Sequence, residues 1–377
     1  MNAPRLQPLP GNLVNLADHE AHARGRLDDN AWAYFNGAAA DGLALRANRT
    51  AWDDIALLPR VLRTMTGGHT GVELLGQTLP HPVMVAPMAY QRMAHPDGEI
   101  ATALAAAAQG SGLVVSTQAS ALLEDIARAF VAGPATSPLW FQLYLQPDRE
   151  VTLSLVARAQ AAGFNALVLT VDAPVSGVRD GERRASFRLP PDITAVNLPS
   201  GRAARDGKGS SGGLAGGLAE RAATWADVEW LISNCRLPVI LKGLLHPLDA
   251  KLALSLGVSA VIVSNHGGRT LDTSIATATA LPRIADAVGD SLPLLVDGGI
   301  RRGTDVLKAI ALGARAVLVG RPIIWGLANA GAAGVAHVLR LLIDELEIAM
   351  VLCGEPHLLR LRTDLIDRIP HPSSRSN

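Results

Sequence analysis

In the stretch Val261 to Asp272, VIVSNHGGRTLD, a run of β-branched residues breaks into Ser264, Asn265, His266, two glycines and Arg269. An imidazole is the side chain best suited to move a proton near neutral pH. A guanidinium is a planar fork that grips a carboxylate or a phosphate. Gly267 and Gly268 let the backbone turn tightly enough to aim both groups at one small molecule. Asp172 ends a second apolar run, ALVLTVD. A carboxylate beside the imidazole would orient the ring and favour its protonated form. On its own His266 reads better as a core histidine with a backbone partner. Arg269 three residues on, and Asp172 at another run's end, reverse that preference.

The same pattern recurs elsewhere. Apolar runs end in Ala86-Pro87, Ser116, Gln142 and Tyr144, Thr170, Lys242, Asp297-Gly298-Gly299 and Gly320-Arg321. Any single Thr or Gln could be a satisfied core group. Burying Lys, His, Arg and two Asp with nothing to do would cost several kcal/mol for each uncompensated charge, on the order of known buried-ion penalties. Gly298, Gly299 and Gly320, flanked by Arg301 and Arg321, either make tight turns or form a phosphate cradle. A phosphate there would belong to a substrate or to a cofactor such as FMN.

The elements that must position these groups are eight short runs. They span Pro82 to Pro87, Leu113 to Thr117, Leu139 to Leu145, Ala166 to Asp172, Pro238 to Gly243, Ala260 to Asn265, Pro293 to Gly299 and Arg315 to Arg321. Ala/Leu-rich helical stretches such as DGEIATALAAAAQGSG and RGTDVLKAIALGA lie between them. Eight alternations predict an α/β fold, a (β/α)8 TIM barrel, whose polar strand ends converge on one face. A doubly wound sheet is the alternative, disfavoured by the tally and by the lack of an early GxGxxG. The spacing predicts one domain over 1–377. It comprises an N-terminal helical extension over 1–80, a barrel over 81–355, and a long Gly/Ser-rich loop after strand 4, within 176–224, that reads as a lid.

Half of the 377 residues are apolar (49%) and only 4% aromatic, so the expected core is Ala, Leu and Val. Lys plus Arg equals Asp plus Glu, 34 each, which offers no field for nucleic acid or an anionic membrane. Cys235 and Cys353 lack metal or redox spacing and read as reduced thiols. No signal-like segment or apolar run of about 20 residues appears. A soluble, cytoplasmic protein follows, with a frayed polar end at PHPSSRSN.

SNHGGRTLD followed by VDGGIRRGTDVLKAIALGARAVLVGRP, together with APMAYQRMAHPDGE, WFQLY, LTVDAP, ILKG and AYFNGAAADG, resembles the FMN-dependent 2-hydroxy-acid oxidase and dehydrogenase family. The resemblance runs from about residue 12 to 355. It implies FMN on the barrel's C-terminal face, with backbone at Pro87, Met88 and Ala89 beside the ring. Ser116, Gln142, Thr170 and Ser264 would bond the cofactor, and Lys242 would sit near the flavin nitrogen where negative charge builds on reduction. Asp297, Gly298, Gly299, Arg301, Gly320 and Arg321 would take the ribityl phosphate. His266 is implied as the base, Asp172 as its partner, and Arg269 and Arg179 as the grip on the substrate carboxylate. Tyr34 and Tyr144 would complete the pocket. The implied reaction oxidises a small (S)-2-hydroxy acid to the 2-oxo acid in a homotetramer or homo-octamer.

Against the glycolate-oxidase pattern, Met88 stands in place of Thr, Gln118 in place of Trp, and Ser176 in place of a larger aliphatic residue. These changes disfavour glycolate and leave room for a longer or branched acid. With no haem module and no apolar loop, O2 is the favoured acceptor, giving H2O2. A quinone or other soluble carrier and an oxidative decarboxylation are the alternatives. Two other classes fit parts of the pattern, a lyase with Lys242 as a Schiff base and a flavin-binding protein without turnover.

Overall fold

The computed structural model of the chain describes residues 7–133, 137–199, 222–361 and 363–368. Eight parallel strands close into a barrel: Val83–Val85, Leu113–Ser116, Leu139–Leu143, Ala166–Thr170, Val239–Leu244, Ala260–Val263, Leu294–Val296 and Ala316–Val319. The eighth returns to the first, with Val317 opposite Val83 and Val319 opposite Val85. Every strand residue is buried except Gly243, which is half-buried. This is why the runs are continuously apolar: a parallel strand faces side chains within the barrel and helices outside it. The (β/α)8 architecture is the one expected from the alternation.

Helices follow the strands in turn, Gly98–Gln109, Leu123–Val131, Arg149–Ala161, Trp225–Ser233, Pro247–Ser255, Thr277–Val288, Gly303–Ala311 and Arg321–Cys353. The last is broken by non-helical backbone at Ala330 and Gly331. This break separates a short segment headed by Arg321 from the long outer helix. Asp172, His266, Asp297 and Arg321 all lie just past strand ends, on the C-terminal face.

The region before the barrel is helical only as far as Asp53, through Leu16–Arg24, Asp29–Asn36 and Leu43–Asp53. The expectation of a helical extension to residue 80 is therefore corrected. Ile55–Leu57 pairs with Ile366–Arg368, and Val72–Leu74 pairs with Gln77–Leu79 in a hairpin. Its turn residues, Leu75 and Gly76, both have positive φ, 49° and 75°, as a two-residue hairpin of primed type requires. Three-residue strands are too short to show a periodicity, so the sequence pattern hid them.

After the fourth strand the chain forms the short helix Asp180–Arg184 and continues over the barrel mouth. The stretch SGRAARDGKGSSGGLAGGLAE lies outside the described residues, as does PHPSSRSN. Among the described residues no helix is long and apolar enough to cross a membrane. Both cysteines are free thiols.

Candidate active site

The fifth strand shows how the backbone makes room for the site. Its register shifts between Lys242 and Leu244, and Gly243 has φ 114°. A Cβ on Gly243 would lie 2.4 Å from the Cβ of Asp172. Glycine is thus required there for Asp172 to stand beside the strand. The carboxylate then meets His266, whose Nδ1 donates to Asp172 Oδ1 at 2.8 Å. His266 itself adopts φ 57°, a conformation costly for a residue with a side chain and typical of functional sites. The Ser264 hydroxyl supports this turn by accepting the His266 backbone N–H at 3.0 Å.

Asp172 is buried, which works to raise its pKa. The His266 charge and hydrogen bond, with the Lys242 charge, outweigh burial and hold its carboxyl below the usual range. Lys242 is buried too. Burial would lower its pKa, but Asp297 at 2.7 Å and the Asp172 charge raise it above the ordinary lysine value. Lys242 also donates to Ser264 Oγ at 2.7 Å. Side chains at three adjacent strand ends form a chain: Ser116 Oγ donates to Gln142 Oε1 at 3.2 Å, and Gln142 Nε2 donates to Thr170 Oγ1 at 3.0 Å.

These groups surround a cavity of about 620 Å3. Tyr34, Pro87, Met88, Ala89, Ser116, Gln142, Tyr144, Thr170, Arg179, Lys242, His266, Arg269, Asp297, Gly298, Gly299, Arg301, Gly320 and Arg321 all line it. Asp172 and Ser264 do not. Each stands behind a lining residue, Asp172 behind His266 and Ser264 behind Lys242. Ser264 Oγ accepts from Lys242 Nζ at 2.7 Å and from the His266 N–H at 3.0 Å, and both bonds leave its own hydroxyl proton free to donate.

Sequence reasoning missed several contributors. Glu182 Oε1 accepts from Arg179 Nη1 at 2.8 Å and from Arg269 Nη2 at 3.1 Å. The spacing of Glu182 three residues beyond Arg179, on one helical face, was a usable signal. Phe187 stacks on Tyr34 with ring centroids 5.0 Å apart. Asn48 and Asn265 exchange amide hydrogen bonds at 2.8 and 2.9 Å, tying the N-terminal helix Leu43–Asp53 to the His266 turn. Asp305 fixes the turn of Arg301, accepting its backbone N–H at 2.8 Å while pairing with Arg49 at 2.6 Å. The Phe187–Tyr34, Asn48–Asn265, Arg49–Asp305 and Glu182–Arg269 contacts join residues distant in sequence, so no local pattern announces them.

One corner of the cavity calls for an anion. Arg321 is half-buried, and among the described residues it donates only to backbone carbonyls, of Gly267 at 2.9 Å and Gly37 at 2.8 Å. Its Nε has no partner. Burial first, then the Arg269 and Arg301 charges, push its pKa well below the arginine norm. Burial likewise pushes Arg301 down to about 10. Gly298 and Gly299, at φ 88° and 83°, turn the backbone tightly under the helix Leu43–Asp53; a Cβ on Gly299 would lie 2.3 Å from the Asn48 carbonyl oxygen. Asp297 Oδ1, also buried, has no partner. A phosphate would satisfy the arginines, a ribityl hydroxyl could donate to Asp297 Oδ1, and a hydrogen-bonding ring edge would suit Ser116, Gln142, Thr170 and Lys242. Their donor set fits FMN.

Comparison with known proteins agrees. The FMN-dependent dehydrogenase family matches residues 23–368. The chain belongs to that family. It is 47% identical to L-lactate oxidase of Roseobacter sp. (strain GAI101), covering 97% of this chain and 98% of that one. It is 43% identical to glycolate oxidase 1 of Zea mays, covering 91% and 93%. Among solved structures, mandelate oxidase with (S)-2-phenylpropionate superposes with a TM-score of 0.84 at 40% identity, covering 94% and 98%. Its cofactor is accordingly FMN, and it is a 2-hydroxy-acid oxidase.

Proposed function

We propose that the protein oxidises a small (S)-2-hydroxy acid with a short apolar tail, L-lactate ahead of glycolate, with His266 as base and O2 as acceptor. One observation carries the reading. The Asp172 contact engages His266 Nδ1 at 2.8 Å, while the ring lines the same cavity as Arg269 and Arg179.

The two guanidiniums bind the substrate carboxylate and so set the orientation of its α-carbon. The hydroxyl then donates to His266 Nε2. As the proton moves to Nε2 the ring becomes an imidazolium, and the ionised Asp172 balances that charge and holds the tautomer. The Tyr34 phenol is buried, and burial raises its pKa above the tyrosine norm. It therefore remains a hydrogen-bond donor to the substrate. FMN, held by Arg301, Arg321, Lys242 and the Ser116–Gln142–Thr170 chain, supplies the two-electron acceptor. Lys242 stays cationic beside Asp297, where it stabilises negative charge on a neighbour. Membership of the FMN-dependent dehydrogenase family leaves the Schiff-base lyase reading without support.

The tail preference is supported by the apolar side chains of Met88, Val175, Leu189 and Ile193 among the residues that line the cavity. A cytoplasmic location and assembly as a homotetramer or homo-octamer complete the proposal; light scattering of the purified protein checks the assembly. For the function, glycolate, L-lactate, 2-hydroxyoctanoate and (S)-mandelate are added without oxygen and bleaching of the flavin band is timed. L-lactate bleaches faster than glycolate, and in air one peroxide forms per 2-oxo acid. Faster bleaching by glycolate overturns the tail assignment, and absent peroxide overturns the acceptor.

A further inference from the structure

Glu182 places a carboxylate where a carboxylate-binding site needs none. Its Oε1 is shared between Arg179 and Arg269. All three side chains are largely buried, at 17% exposed for Glu182, 18% for Arg179 and 13% for Arg269. Two buried guanidiniums this close repel one another. Burial first, and then the Arg179 charge, push Arg269 down to about 10. The other Arg269 contacts are neutral, with Nη1 donating to the carbonyls of Tyr34 and Gly37. Glu182 is thus the anion shared by both cations. It does not exhaust their donors, for the buried Nε of Arg179 has no partner.

We propose that Glu182 is a specificity-determining counter-charge: it leaves the two-arginine clamp with one net positive charge, so that the clamp holds a single carboxylate and releases it again. This rests on the reading of Arg179 and Arg269 as the carboxylate grip. A clamp of two desolvated cations without Glu182 would hold substrate and 2-oxo acid product equally more tightly. Such uniform binding lowers KM without helping the reaction and slows product departure. With Glu182 the incoming carboxylate brings the group to neutrality.

The probe is oxamate, a monocarboxylate resembling the product, titrated into FMN-loaded enzyme and followed by the flavin's visible spectrum. Glu182→Gln keeps the shared acceptor and removes the charge. We expect its oxamate Kd to fall about tenfold, as for loss of one partly compensating charge, with KM for L-lactate and kcat falling together. An unchanged or larger Kd overturns the proposal, and Glu182 is then only a brace. Glu182→Asp withdraws the carboxylate by one methylene and should tighten oxamate in the same direction by a smaller factor. It decides the question if the Gln variant does not hold FMN, since a looser Kd in the Asp variant overturns the proposal equally. The wild type is bleached anaerobically with L-lactate in parallel. No bleaching there sinks the functional reading, whereas normal bleaching with unaltered oxamate affinity sinks only the role of Glu182.

Discussion

Two pairs of half-buried arginines share the barrel's C-terminal face, and they are treated differently. Arg179 and Arg269 lean on an internal carboxylate, Glu182. Among the described residues, the Arg301 and Arg321 guanidiniums hydrogen-bond to no carboxylate; they donate to the carbonyls of Ile300, Gly267 and Gly37. On the proposed reading, the first pair is tempered for a ligand that arrives and leaves at every turnover. The second, offset only at a distance by the Glu20 charge, would suit a phosphate that stays. The same side chain would then be set for exchange on one side and for residence on the other by what stands beside it.

The largest expected effect separates chemistry from both pairs. His266→Gln should hold FMN normally and slow anaerobic flavin reduction by roughly 10²- to 10⁴-fold, the usual loss for a missing general base. Stopped-flow absorbance measures it, and a near-normal rate removes His266 as the base. Next, Arg321→Met should raise the FMN Kd roughly 10- to 100-fold, the loss of a charge-assisted bond of about 1.5–3 kcal/mol. Fluorescence of released FMN measures this. If FMN stays bound but KM rises, the two pairs have been assigned the wrong way round.

The helix segment that begins at Arg321 ends against a histidine cluster, which allows a test of how firmly the resident side is held. Asn329 Nδ2 contacts His19 Nδ1 at 3.2 Å, and His19 Nε2 lies 2.9 Å from His337 Nδ1. Burial first, then the His337 charge, depress the His19 pKa to about 4. The unfolded imidazole takes its proton near pH 6.5, while the folded one resists until about pH 4. Stability from the neutral ring is therefore complete above pH 6.5 and is lost as pH falls toward 4. Between pH 7 and 5 this should remove about 2 kcal/mol, read as a lower thermal midpoint. His19→Gln should flatten that part of the pH profile, and an equally steep fall in the variant would assign it elsewhere.

How much of this could be read beforehand depended on range. The barrel was legible because each strand is a continuous apolar run with a polar end, and each strand end carries its chemistry in the same few letters. His266, Arg269, Asp172 and Lys242 announced themselves in that way. Glu182 offered only its spacing from Arg179, three residues before it; its second partner, Arg269, lies eighty-seven positions away and is brought to it by the fold. Asn48 and Asp305 escaped for the same reason: each is an ordinary helix residue whose partner comes from a distant turn. The hairpin Val72–Leu74/Gln77–Leu79 escaped through brevity.

The smallest effect bears on the exchange pair itself. Arg269 uses Nη1 for the Tyr34 and Gly37 carbonyls and Nη2 for Glu182, and its guanidinium lies over the Tyr34 ring at 5.2 Å. A lysine carries the same charge but a single ammonium on a flexible stem, so it cannot brace against two carbonyls and present a flat fork to a carboxylate at once. Arg269→Lys should raise the KM for L-lactate by about tenfold, one lost bond of about 1.4 kcal/mol, while the FMN Kd stays put. Steady-state kinetics and a flavin titration read the two quantities separately. A shift in the FMN Kd as large as that in KM would mean that the two arginine pairs act as one electrostatic unit, and the division between exchange and residence would fall.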